Sequence, residues 1–221
     1  MAVNLDTRAP LAAADPSTLY LEVTNRCNSL CAHCPRTYFP KPARDLSLAR
    51  IAGLVEQVPE LRQVVLHGVG EPLLNPALPA IVGYLKGRGL RVLFNSNAIG
   101  LRPRLQEALV RSGLDEYRAS LDAATPGTYR AIRGVPCWDE VLANLAGLLA
   151  TRRRLGAHAP KVSLWFVVMR ENVDELPAFA RQAVALGVDE AYAQRLVYFD
   201  AGLAVAEQSV YRKRSAPVRG E

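Results

Sequence analysis

Apolar, β-branched runs alternate with amphipathic stretches along most of the chain. Residues 19–24 (LYLEVT) predict a first strand, followed by a long Cys-rich loop. Residues 46–58 predict a helix, with Ser47 near its start and Pro59 just past its end. A second strand at 63–67 (QVVLH), a helix at 76–87 and a third strand at 90–94 follow. The pattern then repeats with a helix at 102–112 stopped by Gly113, a strand at 116–121, a short helix at 125–133 and a long one at 138–155. Residues 162–169 (VSLWFVVM) are continuously apolar rather than alternating, as in a strand buried on both faces. A helix at 173–186 closes at Gly187, and 188–197 contains a sixth strand. Six strand–helix repeats with short turns imply an α/β fold with parallel strands and right-handed crossovers. Periodicity alone leaves a doubly wound sheet and a partial barrel both open.

At 221 residues, half of them apolar, the chain is long enough for one domain with a sizeable core. One domain is expected over 15–200, with 201–221 as a loosely ordered tail, since YRKRSAPVRGE lacks periodicity. The longest apolar runs fall short of the roughly 18 residues of a membrane span. The first residues also lack a signal-peptide core. A soluble, cytoplasmic protein without a membrane partner is the expectation. The net charge of +6 is spread over the surface, without the arginine stripe and interleaved aromatics of a nucleic-acid binder.

The unusual residues share one location. NRCNSLCAHCPR follows the first strand, HGVGEP the second and NSN the third; SLD closes the fourth and RENVD follows the fifth. All lie at carboxyl ends of parallel strands, where α/β folds build their sites. Cys27, Cys31 and Cys34 crowd into eight residues, which suits a metal site in a reducing compartment better than a disulfide framework. Thiolates suit zinc or iron–sulfur clusters, and a structural zinc wants four closed ligands. Three cysteines without an obvious fourth suit a cubane with one iron open to the amino and carboxylate groups of an amino acid. Zinc, with Cys137 as a fourth ligand, is the alternative.

TNRCNSLCAHCPR resembles the signature loop of the radical S-adenosylmethionine (radical SAM) superfamily. HGVGEP resembles its Gly-Gly-Glu-Pro element, with Val69 interrupting the commoner glycine pair, and NSN and SLDA resemble its cosubstrate-binding strand ends. The resemblance extends from about Leu19 to Val197. It implies a (β/α)6 partial TIM barrel, a [4Fe–4S] cluster held by Cys27, Cys31 and Cys34, and S-adenosylmethionine as cosubstrate. One-electron reduction, by a partner such as flavodoxin or ferredoxin, would yield methionine and a 5′-deoxyadenosyl radical that takes hydrogen from a small-molecule or peptide substrate. His33 stands where the family usually packs an aromatic on adenine. Gly68, Gly70 and Glu71 would present backbone to the methionine amino group, Asn97 and Ser120 would meet the ribose or the methionine carboxylate, and Arg133 would pair with that carboxylate. The Cys-Pro-Arg ending resembles the SPASM/molybdenum-cofactor-type branch, whose members carry further clusters C-terminally; here no cysteine follows Cys137.

Blander readings stand beside these. Asn97 could be a turn residue, Ser120 a packing residue, Arg133 a solvated arginine, Asp122 a helix cap and Cys137 a small hydrophobe. His67 faces either the site or the core, and Gln194 and Arg195 are candidate substrate contacts. A non-catalytic metal-binding module and an inactive remnant are the functional alternatives.

Overall fold

Capping side chains and glycines set several of the helix boundaries in the computed structural model, which describes residues 16–37 and 41–196. Helix α1 (Leu48–Val55) begins where the Ser47 hydroxyl accepts from the Arg50 amide at 3.3 Å. It is shorter than the apolar pattern predicts at both ends, the Ser47 cap fixing its start and the helix closing after Val55 at Glu56. Helices α2 (Leu78–Gly87) and α3 (Pro103–Arg111) follow. Helix α4 (Pro126–Arg133) is capped by the Thr125 hydroxyl and ends on Gly134, whose φ of +72° admits the left-handed turn. Helix α5 (Trp138–Arg154) is the longest. The predicted helix at 173–186 divides into a 3₁₀ turn, Val173–Glu175, and α6 (Leu176–Leu186). Pro177, in the first turn of α6, has no N–H to bond back across that boundary.

The strands are β1 (Thr18–Tyr20), β2 (Gln63–Val65), β3 (Arg91–Ser96), β4 (Glu116–Ser120), β5 (Lys161–Val168) and β6 (Glu190–Arg195). They form one parallel sheet in chain order, β1 to β6. A doubly wound sheet needs a reversal in strand order, and none occurs. Right-handed crossovers always stepping the same way keep the helices on one face, so the sheet curls with its other face inward. This is the partial barrel. Among the described residues β1 pairs with β2 alone and β6 with β5 alone, so the barrel stays open. β1 is shorter than predicted, although the Leu21 amide still reaches the Val65 carbonyl at 2.9 Å. The predicted end of β6 at Val197 and the tail lie outside the described residues. Among those residues no helix is long and apolar enough to cross a membrane.

Alternation assigns the two faces of each strand. Val64, Leu66, Phe94, Tyr117, Leu164 and Phe166 turn outward and are fully buried beneath helical residues such as Ile81, Leu85, Leu145 and Leu148. Inward positions are polar at the amino-terminal end. Gln63 accepts from Arg91 at 3.0 Å, Arg91 donates to Glu116 at 3.0 Å, and Lys161 bridges Glu116 and Glu190 at 3.7 and 2.8 Å. These side chains span five adjacent strands and form a floor.

Asn75 locks the first three elements together. Its amide donates to the Val23 and Leu46 carbonyls at 2.8 and 3.0 Å, and its oxygen accepts from the Ala77 amide at 2.9 Å. Asn75→Ala leaves the Leu46 carbonyl and the Ala77 amide unpaired, while the Val23 carbonyl keeps the Leu46 amide at 2.8 Å, and such a loss costs about 1–3 kcal/mol. Urea denaturation should show a destabilisation of about that size; an unchanged midpoint would mean that water replaces the side chain.

Candidate active site

The carboxyl ends of the strands surround a cavity of about 490 Å³. Cys27, Cys31, His33 and Cys34 line it from the loop after β1, and Gly68 to Glu71 from the loop after β2. Asn97, Ser120, Asp122 and Arg133 come from the following segments. The sequence-predicted residues therefore share one chamber, except Cys137. Cys137 sits at the start of α5 beside Arg102 and Glu140, packed against the core and outside the cavity lining.

The cysteine loop is held at several points. The Leu30 amide donates to the Arg133 carbonyl at 3.1 Å and the Ala32 amide to the Ile132 carbonyl at 3.0 Å, seating the loop on the end of α4. Gly134 is obligatory there, because a Cβ would lie 2.6 Å from the Leu30 carbonyl oxygen. From β3, the Asn97 amide group donates to Asn28 Oδ1 at 2.7 Å and Ser29 Oγ at 3.0 Å, and approaches Cys27 Sγ at 3.8 Å. Asn97, expected at the ribose or the methionine carboxylate, lines the cavity and also engages the cysteine loop. Its side chain positions the loop.

Glu71 is buried, and its carboxylate is spent on the protein. Oε1 accepts from Ser96 Oγ at 2.7 Å and the Leu73 amide at 3.1 Å, and Oε2 accepts from the Asn97 amide at 2.7 Å. Burial pushes its pKa up, while these donors pull it down. What the loop after β2 can offer a ligand is therefore backbone. The glycines of that loop answer to a neighbour as well as to any cosubstrate. A Cβ on Gly70 would stand 1.8 Å from the Thr24 carbonyl oxygen, and one on Gly68 would meet Glu22. Glu22 accepts from the amides of Val69 and Gly70 at 2.6 and 3.2 Å, a role with no motif to announce it.

Asp122 ties the other side together. It is buried with φ of +59°, and is not a helix cap, since Thr125 caps α4. Oδ2 pairs with Arg133 NH1 at 2.8 Å and lies 3.9 Å from His33 Nε2, while Oδ1 accepts from the Val167 amide at 2.8 Å. Arg133, expected to meet a ligand carboxylate, thus gives NH1 to a protein acid. Burial opposes its charge, but Cys31 and Asp122 more than offset this and hold the guanidinium cationic. His33 is pushed toward the neutral form, chiefly by burial.

The thiols combine burial, which disfavours the bare thiolate, with neighbouring cations that favour it. Burial raises Cys27 and pushes Cys31 up to about 11, whereas Arg36 and Arg133 pull the other way. Three buried nitrogens nearby, Arg36 Nε, Arg133 Nε and His33 Nδ1, have no hydrogen-bond partner. Buried donors left unpaired are costly, and a cluster of sulfides and thiolates offers acceptors for them. The three cysteines line one chamber, yet among the described residues no three His, Cys, Asp or Glu side chains converge as a site for a single metal ion. The donor set fits a cubane with three thiolate ligands.

A family model described as the radical SAM superfamily matches residues 21–183. The chain belongs to the radical SAM superfamily of enzymes, whose cofactors are a [4Fe–4S] cluster and S-adenosylmethionine. It is 29% identical over 174 residues to the tungsten-containing aldehyde ferredoxin oxidoreductase cofactor-modifying protein of Pyrococcus furiosus, covering 77% of this chain and 49% of that protein. It is 30% identical over 191 residues to the PqqA peptide cyclase of Gluconobacter oxydans, covering 85% of this chain and 51% of that one. The chain thus spans about half the length of these curated relatives. Its fold matches that of Streptococcus suis SuiB, solved bound to the precursor peptide SuiA, with a TM-score of 0.68 at 14% identity. That match covers 83% of this chain and 40% of SuiB.

Removing one member of a buried ion pair strands the other and costs about 3–5 kcal/mol. Asp122→Ala is therefore expected to lower the unfolding free energy from urea denaturation by an amount in that range, and to do so more than Arg26→Ala, whose pair with Asp45 is exposed. Equal, small effects would show that the Asp122–Arg133 pair is solvated in solution.

Proposed function

We propose that this chain is the catalytic core of an enzyme that reductively cleaves S-adenosylmethionine and applies the product to a peptide substrate. The observation that carries the reading is the set of three cysteine thiols at one end of the barrel, with the unpartnered nitrogens of Arg133 and His33 on residues lining the same chamber and the charge of Arg36 acting on Cys27. When bound, the cluster and cosubstrate supply a one-electron cleavage to methionine and a 5′-deoxyadenosyl radical, which removes hydrogen from the substrate. The protein's part is binding and orientation.

Cys27, Cys31 and Cys34 would hold the cluster, with Asn97 fixing the Cys27 end of the loop through Asn28 and Ser29. Arg36 and Arg133 would offset its negative charge. The backbone of Gly68 to Gly70 would meet the methionine end of the cosubstrate. Ser120 lines the cavity, and its hydroxyl makes no hydrogen bond among the described residues, which leaves it available to the ribose or carboxylate. A peptide substrate is supported by two similar proteins, a cyclase of the PqqA peptide and SuiB bound to SuiA. The electron donor would be a low-potential carrier such as flavodoxin or ferredoxin.

Anaerobic reconstitution tests the centre. About four irons and four sulfides per chain are expected. Alanine at Cys27, Cys31 or Cys34 should abolish iron uptake, and Cys137→Ala should leave it unchanged. Loss of metal from the Cys137 variant would point to a four-thiolate site and overturn the reading.

Binding is separable from assembly. Ser120→Ala is expected to keep full iron content and weaken S-adenosylmethionine binding roughly ten-fold by calorimetry, about 1.4 kcal/mol. An unchanged dissociation constant would make Ser120 a packing residue.

A further inference from the structure

The chamber has a second wall, away from the cysteines, made by inward side chains of β4, β5 and β6. Arg118 lies over Trp165, its Cζ 5.0 Å from the ring centre. Tyr192 stacks on Trp165, the centroids 4.6 Å apart and the planes 25° off parallel. Strand register produces this row, with Ser120, Trp165 and Tyr192 side by side and Arg118 level with Ser163. Trp165 is anchored as well, since its Nε1 donates to Ser163 Oγ at 2.9 Å.

Arg118 is held rather than swinging. Its Nε donates to Glu116 Oε1 at 2.9 Å and its NH2 reaches Oε2 at 3.3 Å. Its NH1 makes no hydrogen bond among the described residues, and the side chain lines the cavity. Glu116 does not use up the charge, because it also faces Arg91 at 3.0 Å and Lys161 at 3.7 Å. Lys161 has one further acid, Glu190. Three cations thus meet two carboxylates. His67, across the chamber, is lowered by burial first and then by Arg118. The acids lining the chamber, Glu71 and Asp122, are both occupied by protein donors.

A fixed guanidinium with an open edge and, among the described residues, surplus positive charge around it and no unengaged acid nearby has one natural complement. We propose that the β4–β6 wall binds a carboxylate of the substrate through Arg118, with Trp165 and Tyr192 holding the guanidinium plane in place. A guanidinium fork matches a carboxylate in shape as well as charge, which an ammonium does not. The inference rests on the chamber being the catalytic one, and it specifies the substrate as an acidic peptide or a small carboxylic acid.

The test is a calorimetric titration of the anaerobically reconstituted full chain with acetyl-Ala-Glu-Ala-amide and with acetyl-Ala-Gln-Ala-amide. The glutamate peptide should bind at least ten-fold more tightly. N-acetyl-L-glutamate, run in parallel, tells a free acid from one that needs peptide flanks. Arg118→Gln should erase the preference and Arg118→Lys should keep only part of it, with folding checked by circular dichroism. Should Arg118→Gln fail to fold, the lysine variant and the unmutated chain still decide. Equal affinity for both peptides, binding of neither, or a preference that survives in Arg118→Gln would overturn the inference. The titration needs no turnover. A chain that cleaves S-adenosylmethionine yet shows no carboxylate preference therefore refutes the carboxylate site alone, whereas a chain without cluster refutes the reading beneath it.

Discussion

The buried carboxylate of Asp122 is the point on which the chamber's geometry hangs. One oxygen takes the Val167 amide at the end of β5, and the other takes Arg133 from the end of α4. Its own carbonyl accepts from Asn172 in the loop after β5. Arg133 in turn supplies the carbonyl on which Leu30 rests, so the acid holds the cysteine loop at one remove. Such a buried pair gains little net stability, because desolvation opposes the Coulomb attraction. Its value here is geometric. Breaking it would release the end of α4, the loop after β5 and the seat of the cysteines together.

Glu71 performs the matching task on the other side. Tyr117, deep beneath the helices, donates to Ser96 at 2.8 Å, and Ser96 donates to Glu71. Glu71 then orders the Asn97 amide, and Asn97 grips the residues between Cys27 and Cys31. A chain of hydrogen bonds thus runs from the core to the cysteine loop. That loop is braced from both flanks by groups that hold it through other protein atoms.

Much of this was legible in the sequence. The six strand–helix repeats, the stops at Gly113 and Gly187, and the gathering of polar residues at strand ends follow from periodicity and turn chemistry. Periodicity alone left the class of barrel open, because curl depends on strand order, and the resemblance of the cysteine loop supplied it. Side-chain roles were legible only in kind. Glu71, Asn97 and Arg133 were expected at the site and are there, but their hydrogen bonds go to the protein, since a buried polar group must find partners before it can serve a ligand. Glu22 and Asn75 passed unnoticed because each acts on backbone groups distant in sequence. Arg118 and Trp165 did leave a trace: the alternation of Glu116, Arg118 and Ser120 marks an inward polar face, which identity-based reading of the loops overlooked.

The stack of Arg118, Trp165 and Tyr192 makes its hydrogen bonds within the barrel, to Glu116, Ser163 and Glu190, and none to the cysteine loop or to Glu71. Mutations in this row would leave the braces on the cysteine loop untouched, whereas a change at Asp122, two residues past β4, would not. Along a single strand, positions free to vary thus stand beside one that must hold.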